Sequence, residues 1–267
     1  MSDIFSEHKE PEEHFLPLSA KRYAEFYSLE MDSFSDDIAF YKAYCKKGSS
    51  VLELGCGTGR ISRALTLSGY SVSGLDLSLS MLQLAQSNPG MPSPSYICAD
   101  MTQMAFTTRF TNILIPYNTL NLLRDTLLIT ACLQQVHRCL ASSGSLLLQL
   151  HIPDDELMAR KGENRFQFQM FPLHNNHGKL IKETLRSYNK TTQGICLEER
   201  YRLRPSANNG PREDLSHTLH LAGFSADRWL KILRNCGFQT LSLFGNYDSR
   251  PFKKDTDSTL LIKASPS

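Results

Sequence analysis

No apolar run in the 267-residue chain approaches the roughly 18 residues that a membrane-crossing helix needs. Residues 1–13 are polar and acidic and hold no apolar stretch, so no secretory signal is expected and a cytoplasmic location is. The seven cysteines are odd in number and include no C-x-x-C pair, which argues against a disulfide framework and suits reduced thiols. A basic tract is missing too. Lys and Arg number 29 against 27 Asp and Glu, a net charge of +2, so no electrostatic footprint for nucleic acid or an acidic membrane is present. What the chain does have is 41% hydrophobic and 21% charged residues, enough apolar material for a full core. Its length suits one α/β domain with an insertion.

Within that background the stretch from Val51 to Arg60 stands apart. Residues 50–54 form a short apolar run suited to a strand buried on both faces of a parallel sheet. Gly55, Gly57 and Gly59 follow at alternate positions, and a helical pattern starts near Arg60. Glycines let backbone approach a ligand closely, and the helix start adds free N–H groups. The dinucleotide fingerprint wants a third glycine at its sixth position, where this chain has Arg60. Glu53, at the strand's end, would repel a pyrophosphate and suits a ligand with ammonium or hydroxyl groups. A second strand, 71–75, ends in Asp76, twenty-one positions after Gly55, near the spacing at which an acid meets a ribose diol. A third, 96–98, runs into Ala99, Asp100 and Met101. Parallel strand ends line one crevice, so Glu53, Asp76 and Asp100 should converge there.

The run Glu53-Leu-Gly-Cys-Gly-Thr-Gly59 resembles the first motif of the class I S-adenosylmethionine-dependent methyltransferases. The resemblance extends over roughly residues 20 to 264, with its specific motifs confined to 51–121. It implies an α/β, Rossmann-like, seven-stranded and mostly parallel sheet with an antiparallel last strand and helices on both faces. It also implies S-adenosylmethionine as cofactor and S-adenosylhomocysteine as product. On this resemblance the cofactor would meet Glu53, Gly55, Cys56, Gly57 and Arg60 at the turn, Asp76 at the ribose, and Leu77 and Met81 beside the adenine. Ala99, Asp100 and Met101 would recognise the adenine edge, Pro116 would close the far side, and Tyr27 would cover the methionine end. The acceptor side would be built from Tyr23, Asn118, Asn121, Arg202 and His220, with Tyr117 and His151 as the candidate catalytic residues. Some amino-sugar N-methyltransferases carry a histidine a few residues into the loop after the fourth strand. The matching place here is near Leu122, so that histidine is not carried over.

Residues 1–18 read as a polar tail and 19–267 as one methyltransferase domain. Tyr23, Phe26, Tyr27, Ile38, Phe40, Tyr41 and Tyr44 recur at helical spacing over 19–48; they suit buried stripes or, for Tyr23 and Tyr27, a lid over the site. Ser78 and Ser225 are placed to cap helices, Gly69 and Gly237 to end them, and Thr119 to cap a helix reaching Leu140. A fourth strand covers 112–115 and a fifth covers 145–151. The stretch 153–215 breaks the βα alternation with strands at 179–188 and 195–204 and a second turn at 208–211, so it reads as an antiparallel β insertion, a lid after strand five. Strands at 239–244 and 258–263 close the sheet as a hairpin. Arg200, Arg202 and Arg204 share one strand face, opposite Glu199, Tyr201 and Leu203. They suit either a charged outer face or a grip on an anionic acceptor. The pairs His174/His177 and His217/His220 have no carboxylate or cysteine at ligand spacing beside them, and no metal is expected. The chain thus reads as a methyltransferase acting on a small molecule, at nitrogen rather than oxygen or carbon, as a monomer or homodimer without membrane or nucleic-acid partners. A non-catalytic S-adenosylmethionine-binding regulator and a protein or RNA methyltransferase are the alternatives.

Overall fold

The computed structural model describes residues 14–31, 33–87, 92–159, 166–173, 177–206 and 210–267. A two-residue strand, β1 (Leu16–Pro17), precedes helices α1 (Ala20–Met31) and α2 (Asp36–Tyr44). The alternation then runs β2 (Ser50–Leu54), α3 (Arg60–Leu67), β3 (Ser71–Asp76), α4 (Leu79–Gln86), β4 (Ser95–Cys98), β5 (Phe110–Ile115), α5 (Thr126–Cys139) and β6 (Leu140–His151). A short helix, α6 (Asp155–Ala159), leads into β7 (Gln167–Pro172), β8 (Gly178–Asn189), β9 (Gly194–Pro205) and β10 (Glu213–Ala222). Next come α7 (Ala226–Asn235), β11 (Phe238–Phe244) and β12 (Thr259–Pro266).

The main sheet has seven strands in the order β11-β12-β6-β5-β2-β3-β4. The strands from β4 through β6 are parallel, and β12 runs antiparallel to both of its neighbours, β6 and β11. This is the expected α/β sheet with its antiparallel last strand. The central strands send alternate side chains to opposite faces. Leu52, Leu54, Ile113 and Ile115 pack with Ile129, Leu133 and Trp229 of α5 and α7. Val51, Leu114 and Leu147 pack with Tyr41, Ile61 and Leu65 of α2 and α3. Burial on both faces explains why β2 reads as an unbroken apolar run. It also holds the strand ends rigidly enough to carry a site. No helix among the described residues is long and apolar enough to cross a membrane.

A second sheet in the order β1-β10-β9-β8-β7, antiparallel from β10 to β7 with β1 parallel to β10, rises after β6 as the insertion requires. It extends past residue 215 through β10, which pairs with β9 along its whole length, His217 opposite Glu199. Leu16 and Pro17 add to its edge beside Leu215 and Ser216, so these two residues are not part of a free tail. Phe26 of α1 packs with Leu180, Tyr201, Leu203 and Leu215. Helix α1 therefore belongs to the inserted sheet's inner face. The expected helix from Thr119 to Leu140 is broken. Thr119–Leu123 is a 3-10 turn, Arg124 has a positive φ of 46°, and Asp125 caps α5 by accepting from the Leu127 N–H at 2.7 Å. The aspartate cap competes with a continuous helix for those donors and prevails. Ser78 and Ser225 do cap their helices, and Gly69 and Gly237 take the left-handed conformation beyond the helix ends. The turn expected at 208–211, the tail over 1–13 and His174 lie, wholly or in part, outside the described residues.

Candidate functional site

The turn after β2 is fastened to β3. The N–H groups of Gly55 and Cys56 both donate to the Leu75 carbonyl, at 2.8 and 3.0 Å. Asp76 then joins turn and strand, because its Oδ2 accepts from the Gly57 N–H and its Oδ1 from the Ser78 N–H, each at 2.8 Å. All three glycines have positive φ, +67°, +53° and +75°. They do different work. A Cβ on Gly55 would overlap the Thr119 side chain, and one on Gly59 would overlap Tyr96. A Cβ on Gly57 would meet only the Tyr27 ring, at 3.4 Å. The outer two glycines thus permit packing, and the middle one leaves the crevice open.

Glu53 is 2% exposed and accepts a hydrogen bond from the Ser62 hydroxyl. Burial pushes its carboxyl up to about 8, with Ser62 and the Arg60 charge opposing. A carboxyl in this state gains most from an incoming cation. Asp100 uses one oxygen, Oδ1, to hold the Thr102 N–H at 2.7 Å and its hydroxyl at 2.8 Å. Ala99 and Met101 on either side pack against the main core. Leu77 stands 73% exposed at the lip, whereas Met81 is buried. Beyond β5, Pro116 is buried, and Tyr117 and Asn118 follow with φ of 49° and 62°. The Tyr117 N–H donates to Gln149 Oε1 at 3.0 Å, and Asn118 Oδ1 is buried without a partner.

Two residues expected at the site have their polar atoms occupied by the protein itself. Arg60 makes paired bonds to both carboxylate oxygens of Asp37, at 2.7 and 2.6 Å, donates to the Phe34 carbonyl and stacks on the Phe34 ring. It clamps α2 to the start of α3. Asn121 is fully buried, and its amide donates to the backbone carbonyls of His151 at 3.0 Å and Ala222 at 2.7 Å. That bond, with the His151 N–H donating back at 3.1 Å, fixes the end of β6. Burial lowers the His151 imidazole below its ordinary range, which keeps it neutral at pH 7.

The tyrosines of α1 face the turn. The Tyr27 ring lies edge-on to Tyr117 at 6.3 Å and 6.2 Å from Tyr23, and Tyr23 in turn lies 4.7 Å from the His217 ring. His217 opens a group that sequence reasoning passed over. Lys182 Nζ bridges Glu30 and Glu199 at 2.8 Å each, His217 Nε2 meets Glu199 Oε2 at 2.7 Å, and the Tyr201 hydroxyl donates to the same oxygen at 3.1 Å. Burial works against ionisation of Glu199, but His217 and Lys182 outweigh it and hold the carboxyl down to about 2. The signal was strand parity, since Glu199 alternates in step with buried Tyr201 and Leu203. Arg202 and His220 point to the other face. Arg202 pairs with Glu183 at 2.6 Å, and His220 is exposed opposite Cys196, so His217 and His220 cannot share a ligand.

Three acid-tipped parallel strands around a glycine turn, with an antiparallel strand inserted beside β6, are the fold of the class I S-adenosylmethionine-dependent methyltransferases. The chain is similar to the S-adenosylmethionine-dependent methyltransferase from Clostridium acetobutylicum, with a TM-score of 0.76, 14% identity and 92% and 98% of the two chains covered. It is also similar to the sugar N-methyltransferase KedS8 from Streptoalloteichus, with a TM-score of 0.70, 15% identity and full coverage of both chains. Residues 51–144 match the family model described as a methyltransferase domain. YqeM of Bacillus subtilis (strain 168), a methyltransferase by name only, is 34% identical over 103 residues, 38% of this chain. The match spans less than half of that relative's own length, 42%.

Proposed function

We propose that the chain is an enzyme that transfers a methyl group from S-adenosylmethionine to a small-molecule acceptor, with nitrogen the favoured atom. The observation that carries this reading is the Gly57–Asp76 junction. There a carboxylate held by two backbone N–H groups keeps further lone pairs for a ribose diol, beside the one glycine of this turn whose Cβ would meet no clash. The donor set fits the rest of the cofactor. Glu53 suits the ammonium, and Asp100 retains Oδ2 for the adenine amine. Leu77, Met81, Ala99 and Met101 offer apolar flanks, and Cys56 and Pro116 complete the walls. S-adenosylmethionine supplies a methyl already activated by its sulfonium, so the protein's part is chiefly orientation. Tyr117 and Asn118 are read as the acceptor-side loop, and neutral His151 as the group that takes the acceptor amine's proton. Arg60 and Asn121 serve by holding their loops in place. The likeness to KedS8, a sugar N-methyltransferase, supports the choice of atom.

Two outcomes test this. Asp76→Ala should lose charge-assisted hydrogen bonds worth roughly 1.5–3 kcal/mol and weaken S-adenosylmethionine binding about tenfold or more. Unchanged calorimetric binding in a folded Asp76→Ala protein would remove Asp76 from the site. Methyl transfer screened over amines, phenols and carboxylates should favour amines, and His151→Ala should then lower turnover roughly 10²-fold with cofactor affinity unchanged. Turnover within a few-fold of the parent would leave His151 a bystander.

A further inference from the structure

We propose that the inner face of the inserted sheet is the acceptor's recognition site, and that Glu30 and Glu199 select an acceptor carrying an ammonium group. The proposal rests on the methyl-transfer reading and extends it to a substrate class. It concerns recognition and assigns no proton transfer to these residues.

Glu30, Lys182, Glu199 and His217 converge with their side chains 12, 12, 6 and 19% exposed. The group holds two carboxylates against one lysine and one imidazole, and burial pushes the Glu30 carboxyl up. Sheltering an uncompensated charge is costly unless a partner arrives. The missing partner has an address. Glu30 Oε1 is buried and has no hydrogen bond, while Oε2 receives Lys182. The Tyr201 hydroxyl exerts a pull on Glu30, but its proton goes to Glu199 Oε2. A structural network would close on itself, whereas this one lacks a single cationic donor.

The position suits an acceptor. The rings of His217, Tyr23 and Tyr27 follow one another from the cluster to Gly57, at 4.7 and 6.2 Å centroid spacing. The Tyr117 hydroxyl feels the charges of Lys182 and Glu199 from the sheet and of Glu30 from α1, as well as Arg60 from the turn. Cluster and crevice therefore face the same space. Tyr23, Tyr27 and Tyr117 present aromatic surface, which attracts cations, and Lys182 already sits 5.3 Å from the centre of the buried Tyr201 ring. A carboxylate or phosphate entering beside Glu30 Oε1 would instead meet a carboxylate oxygen with no donor to offer. The arginines of β9 that would welcome an anion face away.

The test uses the full chain saturated with S-adenosylhomocysteine and titrated calorimetrically with benzylamine, benzyl alcohol and benzoate. Benzylamine should bind tightest. Glu30→Gln, an isosteric change, should weaken it roughly tenfold or more, while S-adenosylhomocysteine affinity stays put and the chain remains folded. Glu30→Asp, which keeps the charge, should remain within a few-fold of the parent. Benzoate binding as well as benzylamine, no binding by any of the three, or an unchanged benzylamine affinity in Glu30→Gln would each overturn the proposal. Failure of the parent protein to bind S-adenosylhomocysteine would count against the methyl-transfer reading alone. The benzylamine titration run without it still reads this subsite.

Discussion

Gly57→Val should abolish S-adenosylmethionine binding in a chain that still folds. The backbone at Gly57 has a φ of +53°, where a non-glycine residue costs about 1–3 kcal/mol and a β-branched one sits at the upper end. That is a tolerable loss for a domain of this size, because the new Cβ meets only the Tyr27 ring at ordinary contact distance. The branched methyls have to project into the crevice between Asp76 and Tyr27, where the ligand backbone contact would form. Gly55→Val makes the contrast. Its Cβ would overlap Thr119, whose hydroxyl is held by the Pro116 carbonyl at 2.7 Å and cannot retreat. That variant should fail to fold or melt far below the parent. Circular dichroism melts with calorimetric titrations separate the two. An intact titration in Gly57→Val would show that the ligand lies elsewhere.

The same glycines show where sequence reasoning reaches and where it stops. Alternate glycines between an apolar run and a helical pattern are local features, so β2, the turn and α3 could be read directly, and the acids ending β2, β3 and β4 followed from parallel topology. The separate duties of Gly55 and Gly59 were not local. They depend on Thr119 and Tyr96, which only the folded sheet brings to the turn. The break at Arg124 was hidden for a related reason. Thr119 is an acceptable cap in isolation, and nothing nearby announced that Asp125 would take the role. The charged cluster was hidden most thoroughly. On an alternating strand Glu199 looks like any solvated carboxylate, and the conspicuous Arg200, Arg202 and Arg204 draw attention to the opposite face. Glu30 on α1 and Lys182 on β8 are 152 residues apart and meet only because Phe26 anchors α1 to the inserted sheet.

Asp37→Ala should strongly destabilise the chain. The Asp37 side chain is fully buried and that of Arg60 is 16% exposed, and their paired bonds join α2 to the start of α3. Removing the carboxylate leaves a guanidinium with the Phe34 carbonyl and ring but no counter-charge. Breaking a buried pair in this way costs about 3–5 kcal/mol, several times what an exposed pair is worth. For a chain of this size that corresponds to a drop in melting temperature of roughly 6–20 °C. The cost comes from the stranded charge more than from the lost attraction, so replacing both partners should recover much of it. Asp37→Ala combined with Arg60→Met, which restores an unbranched apolar side chain, should melt well above Asp37→Ala alone. The repair should extend to the ligand, since the role proposed for Arg60 is to hold the turn. Thermal melts of the two variants decide the matter. A single variant within about 1 kcal/mol of the parent, or a double variant no better than the single, would mean that the Arg60–Asp37 pair is incidental to the shape of the turn.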